Sequence, residues 1–178
     1  QQSGLTVALH GLGVKTSDRV GTLCWNHAEH LEAYFAIPSA GAVLHTLNLR
    51  LHPNDLAYIA GHAGDSVVIV DDCLWSLFEK FRDEVPFKHV IVVRTGGEPL
   101  PPGTIDYEEL LAAADPARFE YAEFDERLAA TMCYTSGTTG QPKGVLASHR
   151  AVVLHSLGTA MADTQGLSEH DTVLPVVP

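Results

Sequence analysis

Two Val/Ile-rich runs, SVVIV at 66–70 and HVIVVR at 89–94, restrict what this chain can fold into more than any other feature. A strand with one face in water alternates apolar and polar residues, whereas a strand covered on both faces does not. Apolar stretches of this kind therefore ask for helices above and below a parallel sheet, and helical segments of roughly ten to fifteen residues separate them, as in βαβ units. The expected fold class is α/β, a mostly parallel sheet covered by helices on both faces.

Other elements fall between these anchors. Leu5, Leu9 and Leu12 recur at helical spacing before Gly13, and residues 18–25 (DRVGTLCW) read as a buried strand. Asn26 is placed to cap a helix reaching about Ala40, with Leu31, Tyr34, Phe35 and Ile37 as its apolar face and Pro38 kinking or ending it. The strand AVLHT follows, then a helix opened by Pro53, carrying Leu56, Ile59 and Ala60 inward and stopping near Gly61 or Gly64. A helix is expected from about Cys73 to Glu84, a surface loop over 95–104, and a short helix capped by Asp106. After a polar connection come the strand AATMCYT, a second strand at Val145–Ala147, and a helix from His149 to about Asp163. Ser148 caps that helix, and Val152, Val153, Leu157 and Met161 are expected to face inward. The closing TVLPVVP reads as a strand. A chain that opens inside a helix and stops on a strand is expected to be a piece of a larger domain.

Composition bounds function. The 178 residues are 46% hydrophobic and 19% charged, a balance suited to one folded domain. A net charge of -11 argues against general attraction to a nucleic acid backbone, so any anion must be met locally. No apolar run reaches the roughly eighteen residues of a spanning helix, and the first residues lack the pattern of a signal peptide. The expected location is the cytoplasm, with peripheral membrane association left open. Cys24, Cys73 and Cys133 form no C-x-x-C pair and read as reduced, buried thiols. His27 and His30 could share a helix face, but metal binding needs further ligands, so a surface or capping role is the preferred reading.

One segment meets the need for local anion binding. Residues 134–145 read YTSGTTGQPKGV. Glycines 137, 140 and 144 let main-chain N–H groups approach an anion, the hydroxyls of Thr135, Ser136, Thr138 and Thr139 add donors, and Lys143 adds a compact positive charge. From Leu128 to Ala162 there is no Asp or Glu, although 22 acids in 178 residues would place about four there. The P-loop of nucleotide triphosphatases, G-x-x-x-x-G-K-[ST], does not fit. Counted from Gly137, its second glycine is Pro142 and its Ser/Thr is Gly144, and a strand rather than a helix is expected after Lys143. A loop joining two strands is expected to lie over phosphates as a flap. A ligand-free hairpin is the bland alternative.

YTSGTTGQPKGV followed by SHR resembles the phosphate-loop signature of the adenylate-forming superfamily, which includes acyl-CoA synthetases, amino-acid adenylation domains and luciferases. Asp18–Leu51 is similar to the early region of medium- and long-chain fatty acyl-CoA ligases, and VVIVDD and DTVLPVVP resemble later landmarks. The resemblance implies residues 1–178 of an incomplete N-terminal AMP-binding domain, with the small C-terminal domain absent. It implies ATP, Mg²⁺ and coenzyme A as reactants or cofactors, and a carboxylic acid substrate, with a fatty acid expected. The reaction implied is attack of a carboxylate on the α-phosphorus of ATP, then displacement of AMP by the coenzyme A thiol. Thr135 is assigned to Mg²⁺ together with a glutamate outside this chain. Thr135, Ser136, Gly137, Thr138, Thr139, Gly140 and Lys143 are assigned to ATP phosphates, Lys143 also stabilising charge on the departing pyrophosphate. The chain alone is expected to be inactive. Ligases for aromatic, short-chain or amino acids, a variant P-loop NTPase, and a binding module without chemistry are the alternatives, and a homodimer is left open.

Overall fold

A computed structural model of the chain describes residues 1–96, 99–135 and 141–174. Its elements are α1 (Gln2–Gly11), β1 (Arg19–Leu23), α2 (Ala28–Ser39), β2 (Val43–Thr46), α3 (Pro53–Ala63), β3 (Asp65–Asp71), α4 (Trp75–Phe78), β4 (His89–Val93), β5 (Ile105–Asp106), α5 (Tyr107–Ala113), β6 (Ala129–Thr135), β7 (Lys143–Ser148) and α6 (His149–Ala160). The strands form one sheet in the order β5-β4-β3-β1-β2-β6-β7. All neighbours run parallel except β7, which returns antiparallel to β6.

Successive strand residues feed two cores, as the period of two requires. Val20, Leu44, Val67, Ile69 and Ile91 pack with Leu5, Leu9, Ala33, Ile37 and Tyr107 from α1, α2 and α5. Leu23, Val68, Val70, Val90 and Val92 pack with Leu56, Ile59, Ala60 and Phe78 from α3 and α4 on the other face. The Val/Ile runs are thus buried on both sides, which is why they lack a polar alternation.

Chain direction divides at the middle of the sheet. From β1 the chain passes through α2 to β2 on one side, and from β3 it passes through α4 to β4 on the other. Because β1 and β3 are neighbours, a crevice opens at their carboxyl ends, the usual place for ligands in such sheets.

Local chemistry sets the ends of the elements. Gly64 takes a left-handed conformation (φ 70°) after α3, and Arg19 donates from Nε to the Ala63 carbonyl (2.6 Å) and from Nη2 to the Gly64 carbonyl (3.2 Å). Those bonds satisfy carbonyls that the helix leaves open. Asp106 and Ser148 cap α5 and α6 through side-chain oxygens, as expected.

Several expectations are corrected. The cap of α2 is His27, whose ring accepts from the His30 N–H, and not Asn26. The helix expected over 73–84 is broken into α4 and two flanking 3₁₀ turns, an arrangement in which Phe78 and Phe81 both bury and Phe78 contacts Trp75, Phe81 and Phe87. Leu31, Tyr34 and Phe35 are exposed, because α2 turns the small side chains of Ala33 and Ala36, with Ile37, onto the sheet. No residue of α6 is buried, and Val152, Val153, Leu157 and Met161 are all exposed. Cys24 is buried as expected, but Cys73 and Cys133 are exposed. Residues 172–174 form no strand, and 175–178 lie outside the described residues.

Candidate functional site

The site is built on the β6–β7 hairpin. The register runs Met132 opposite Leu146, Cys133 opposite Val145, Tyr134 opposite Gly144 and Thr135 opposite Lys143. Both Thr135 and Lys143 are exposed, one at the carboxyl end of β6 and the other at the start of β7. Ser136, Gly137, Thr138, Thr139 and Gly140 lie outside the described residues. Their flanks, however, are held by the antiparallel ladder, so the seven residues from Ser136 to Pro142 span from one strand to its neighbour.

Tyr134 anchors the base of this hairpin. Its phenol lies 2.6 Å from Nδ1 of His62 on α3, and its ring centroid lies 5.3 Å from that of His45 on β2. Burial pushes the Tyr134 phenol above its ordinary value, with the charge of Asp65 adding to the effect. Across the ladder, a side chain on Gly144 would begin 3.2 Å from the Tyr134 ring. The absent Cβ of Gly144 therefore makes room for tyrosine; the residue sits in a strand and has no positive φ. This differs from the anion-approach role expected from the sequence. Sequence reasoning quoted Tyr134 without giving it a function and did not single out His62; only the tertiary fold brings α3 to β6.

Beneath the hairpin lies a buried ionisable pair. His45 and Asp65 are both 0% exposed, with Nδ1 of His45 at 2.9 and 2.8 Å from the two carboxylate oxygens. Gly21 of β1 lies between the strands that carry them, and its own Cβ would fall 3.0 Å from Oδ2 of Asp65. Glycine at that position lets Asp65 reach across β1 to His45.

Among the described residues, Lys143 has no carboxylate within ion-pair distance. The nearest charged pairs along the chain are Arg150 with Glu126 (3.3 Å) and Arg127 with Asp125 (2.7 Å), both at the surface. Beside them, Leu31, Tyr34, Phe35, Phe124, Val152 and Val153 line an apolar cavity of about 470 Å³ between α2 and α6. Lys143 begins a strand and not a helix, so the phosphate cradle of a P-loop, which needs helix N-terminal amides behind its lysine, cannot form here.

Residues 3–178 match the model of the AMP-binding enzyme family. The chain belongs to that family. It is 52% identical over 172 residues to a long-chain-fatty-acid–CoA ligase of Thermus thermophilus, covering 96% of this chain and 30% of that protein. It is 43% identical over 178 residues to a medium-chain-fatty-acid–CoA ligase of Ectopseudomonas oleovorans, covering 98% of this chain and 32% of the relative. Among solved structures, an acyl-CoA synthetase from Brucella canis superposes with a TM-score of 0.82 at 26% identity, over 96% of this chain and 30% of that one. The chain thus spans about 30% of the length of the relatives it matches. Within that span the family assignment and the α/β fold rest on the same residues.

Proposed function

We propose that this chain carries the β/γ-phosphate loop of an AMP-forming acid–CoA ligase that acts on a fatty acid. The observation that supports this most is the placement of Thr135 opposite Lys143 at the open end of the β6–β7 hairpin, with the glycine- and hydroxyl-rich segment strung between them. In the proposed reaction a carboxylate oxygen attacks the α-phosphorus of ATP, the bond from that phosphorus to the bridging oxygen breaks, and pyrophosphate leaves. Lys143 holds the growing charge on the leaving group, and Thr135, Ser136, Gly137, Thr138, Thr139 and Gly140 offer hydroxyl and main-chain donors to the same oxygens. The thiol of coenzyme A then attacks the acyl carbon and AMP departs.

Mg²⁺ is the metal such a reaction uses, and it would screen the phosphate oxygens. Thr135 offers it one exposed, neutral hard oxygen. A magnesium site needs carboxylate and phosphate oxygens as well. The proposal places the remaining protein ligand, a glutamate, outside this chain.

The acid class proposed is supported by the relatives named above, both ligases of fatty acids. The test is ATP–pyrophosphate exchange by the whole protein that carries this chain, with fatty, short-chain and aromatic acids. Exchange that depends on a fatty acid and yields AMP supports the reading. ADP as product, or exchange only with the other acids, contradicts it.

A further inference from the structure

We propose that Cys24, His27 and Asp71 form a binding site for one divalent transition-metal ion of the zinc class, in the crevice at the carboxyl ends of β1 and β3. Their donor atoms all lie within 4.8 Å of one another, and they are the only such group of three among the described residues. In a tetrahedral zinc site, bonds of about 2.0–2.3 Å put ligand atoms roughly 3.3–3.7 Å apart. Small side-chain rotations are therefore enough to close the three around an ion. Nε2 of His27 already stands 2.9 Å from Oδ1 of Asp71.

The fold fixes all three ligands on short tethers. Cys24 follows β1, His27 caps α2 three residues later, and Asp71 ends β3. They sit where the chain direction divides, at the crevice between neighbouring strands whose connections leave to opposite sides. The spacing Cys24-x-x-His27 is the sequence signal, and the third ligand is brought in from 44 residues beyond His27 by strand pairing.

Groups around the ligands orient them as outer partners do in metal sites. Oε2 of Glu29 lies 2.8 Å from Nδ1 of His27; with a metal on Nε2, Nδ1 would carry the ring's proton and donate it to Glu29 in place of accepting the cap bond from the His30 N–H, which turns the Nε2 lone pair toward the other two ligands. The Trp25 N–H donates to Oδ2 of Asp71 at 2.7 Å, leaving Oδ1 facing His27. A thiolate, an imidazole and a carboxylate form a softer set than the oxygen ligands preferred by magnesium or calcium. The site is distinct from the hairpin, since two strand spacings, about 10 Å, separate β1 from β6.

Binding must displace a proton. Burial, with the nearby Asp71 charge, pushes the Cys24 thiol up, so the sulfur is protonated until a metal replaces that hydrogen. The S–H bond breaks, the metal–sulfur bond forms, and the proton leaves to solvent. His27 is 19% exposed while Asp71 is fully buried and Cys24 nearly so, which leaves the histidine side open for entry and for water as the fourth ligand.

The test uses the purified chain, stripped with chelator and titrated with cobalt(II) chloride. The expected result is a near-ultraviolet thiolate-to-cobalt band with tetrahedral visible bands, saturating at one equivalent and bleached by zinc chloride. Cys24→Ser should abolish the thiolate band, and the double variant Cys73→Ser/Cys133→Ser should keep it. His27→Asn retains a capping side chain for α2, yet should weaken cobalt binding by about 10-fold or more. If Cys24→Ser does not give the parent circular dichroism spectrum, His27→Asn and the double variant decide. Absence of a thiolate band in the parent chain overturns the proposal, as does its survival in a folded Cys24→Ser, its loss in the double variant, or unchanged affinity in His27→Asn.

Discussion

Thr135 and Lys143 face each other as a register pair of β6 and β7. The ladder brings the two ends of the proposed phosphate loop to neighbouring strands, about 5 Å apart along the hydrogen-bonding direction, and places a hydroxyl and an ammonium on the same rim. Lys143 is exposed and makes no ion pair with a described residue, so its removal should cost little stability. In the whole protein, Lys143→Ala should lower the rate of adenylate formation by about 10²–10³, the loss typical of one transition-state charge contact. The unfolding free energy should stay within about 0.5 kcal/mol of the parent. Pyrophosphate exchange and urea unfolding measured side by side separate the two effects. An unchanged exchange rate would remove Lys143 from the chemistry.

Gly144 and Tyr134 should prove coupled. An alanine at 144 places its Cβ 3.2 Å from a ring whose phenol is tied to His62 at 2.6 Å, so the ring has little room to yield. Gly144→Ala should destabilise by about 1–2 kcal/mol through overpacking. In the background Tyr134→Ala the same change should cost much less. A double-mutant cycle by urea denaturation reads this as an interaction energy of at least about 0.5 kcal/mol. Additive effects would mean that the ring does not set the glycine.

The strands were legible because their burial leaves a direct mark on composition. AATMCYT becomes Ala129–Thr135 without a shift, and SVVIV gains only one aspartate at each end. Apolar spacing identified the stripes of α2 and α6 but not what they touch: Ala33 and Ala36 take the sheet while Leu31, Tyr34 and Phe35 stay outside. The segment proposed to bind phosphates stands out in the sequence by its glycines, hydroxyls and missing acids. The contacts that brace it do not, because Tyr134 to His62 is a pairing across 72 residues and His45 to Asp65 depends on an intervening glycine in a third strand. Neither leaves a local pattern.

Two glycines should respond to alanine with opposite signs. Gly61 lies inside α3 with nothing within 4 Å of an added Cβ and no positive φ, so Gly61→Ala should stabilise by about 0.5–1 kcal/mol through helix propensity alone. Gly21 gains a similar backbone term in β1, but its Cβ would stand 3.0 Å from a carboxylate oxygen pinned to His45 and 3.5 Å from Val68. Crowding a fixed, buried partner costs roughly 1–3 kcal/mol, and disturbing the buried hydrogen bond between His45 and Asp65 adds to it. The clash should win, leaving Gly21→Ala net destabilised. Thermal unfolding of the two variants checks the reversal, and a Gly21→Ala protein as stable as the parent would show that Asp65 can move aside.

Asp65 should make acid act on this protein in an unusual direction. Burial pushes its carboxyl above the ordinary value of 3.8, while the hydrogen bond and charge of His45 on β2 and the charge of Arg19 on β1 oppose the shift without cancelling it. A group whose folded value is raised binds its proton more tightly in the native state. Its contribution to stability is fully present below the ordinary carboxylate value and is lost as pH rises through the folded value. Asp125 behaves oppositely, because hydrogen bonds from Arg127 hold its carboxyl low. The comparison of interest is parent against Asp65→Asn, which keeps shape and an acceptor but cannot titrate. As pH falls from about 6 to about 4, the parent should gain stability relative to the variant across the window above 3.8. Urea unfolding at a series of pH values measures that difference directly. A difference that stays flat, or that shrinks on acidification, would mean that the folded Asp65 is not held above the ordinary value.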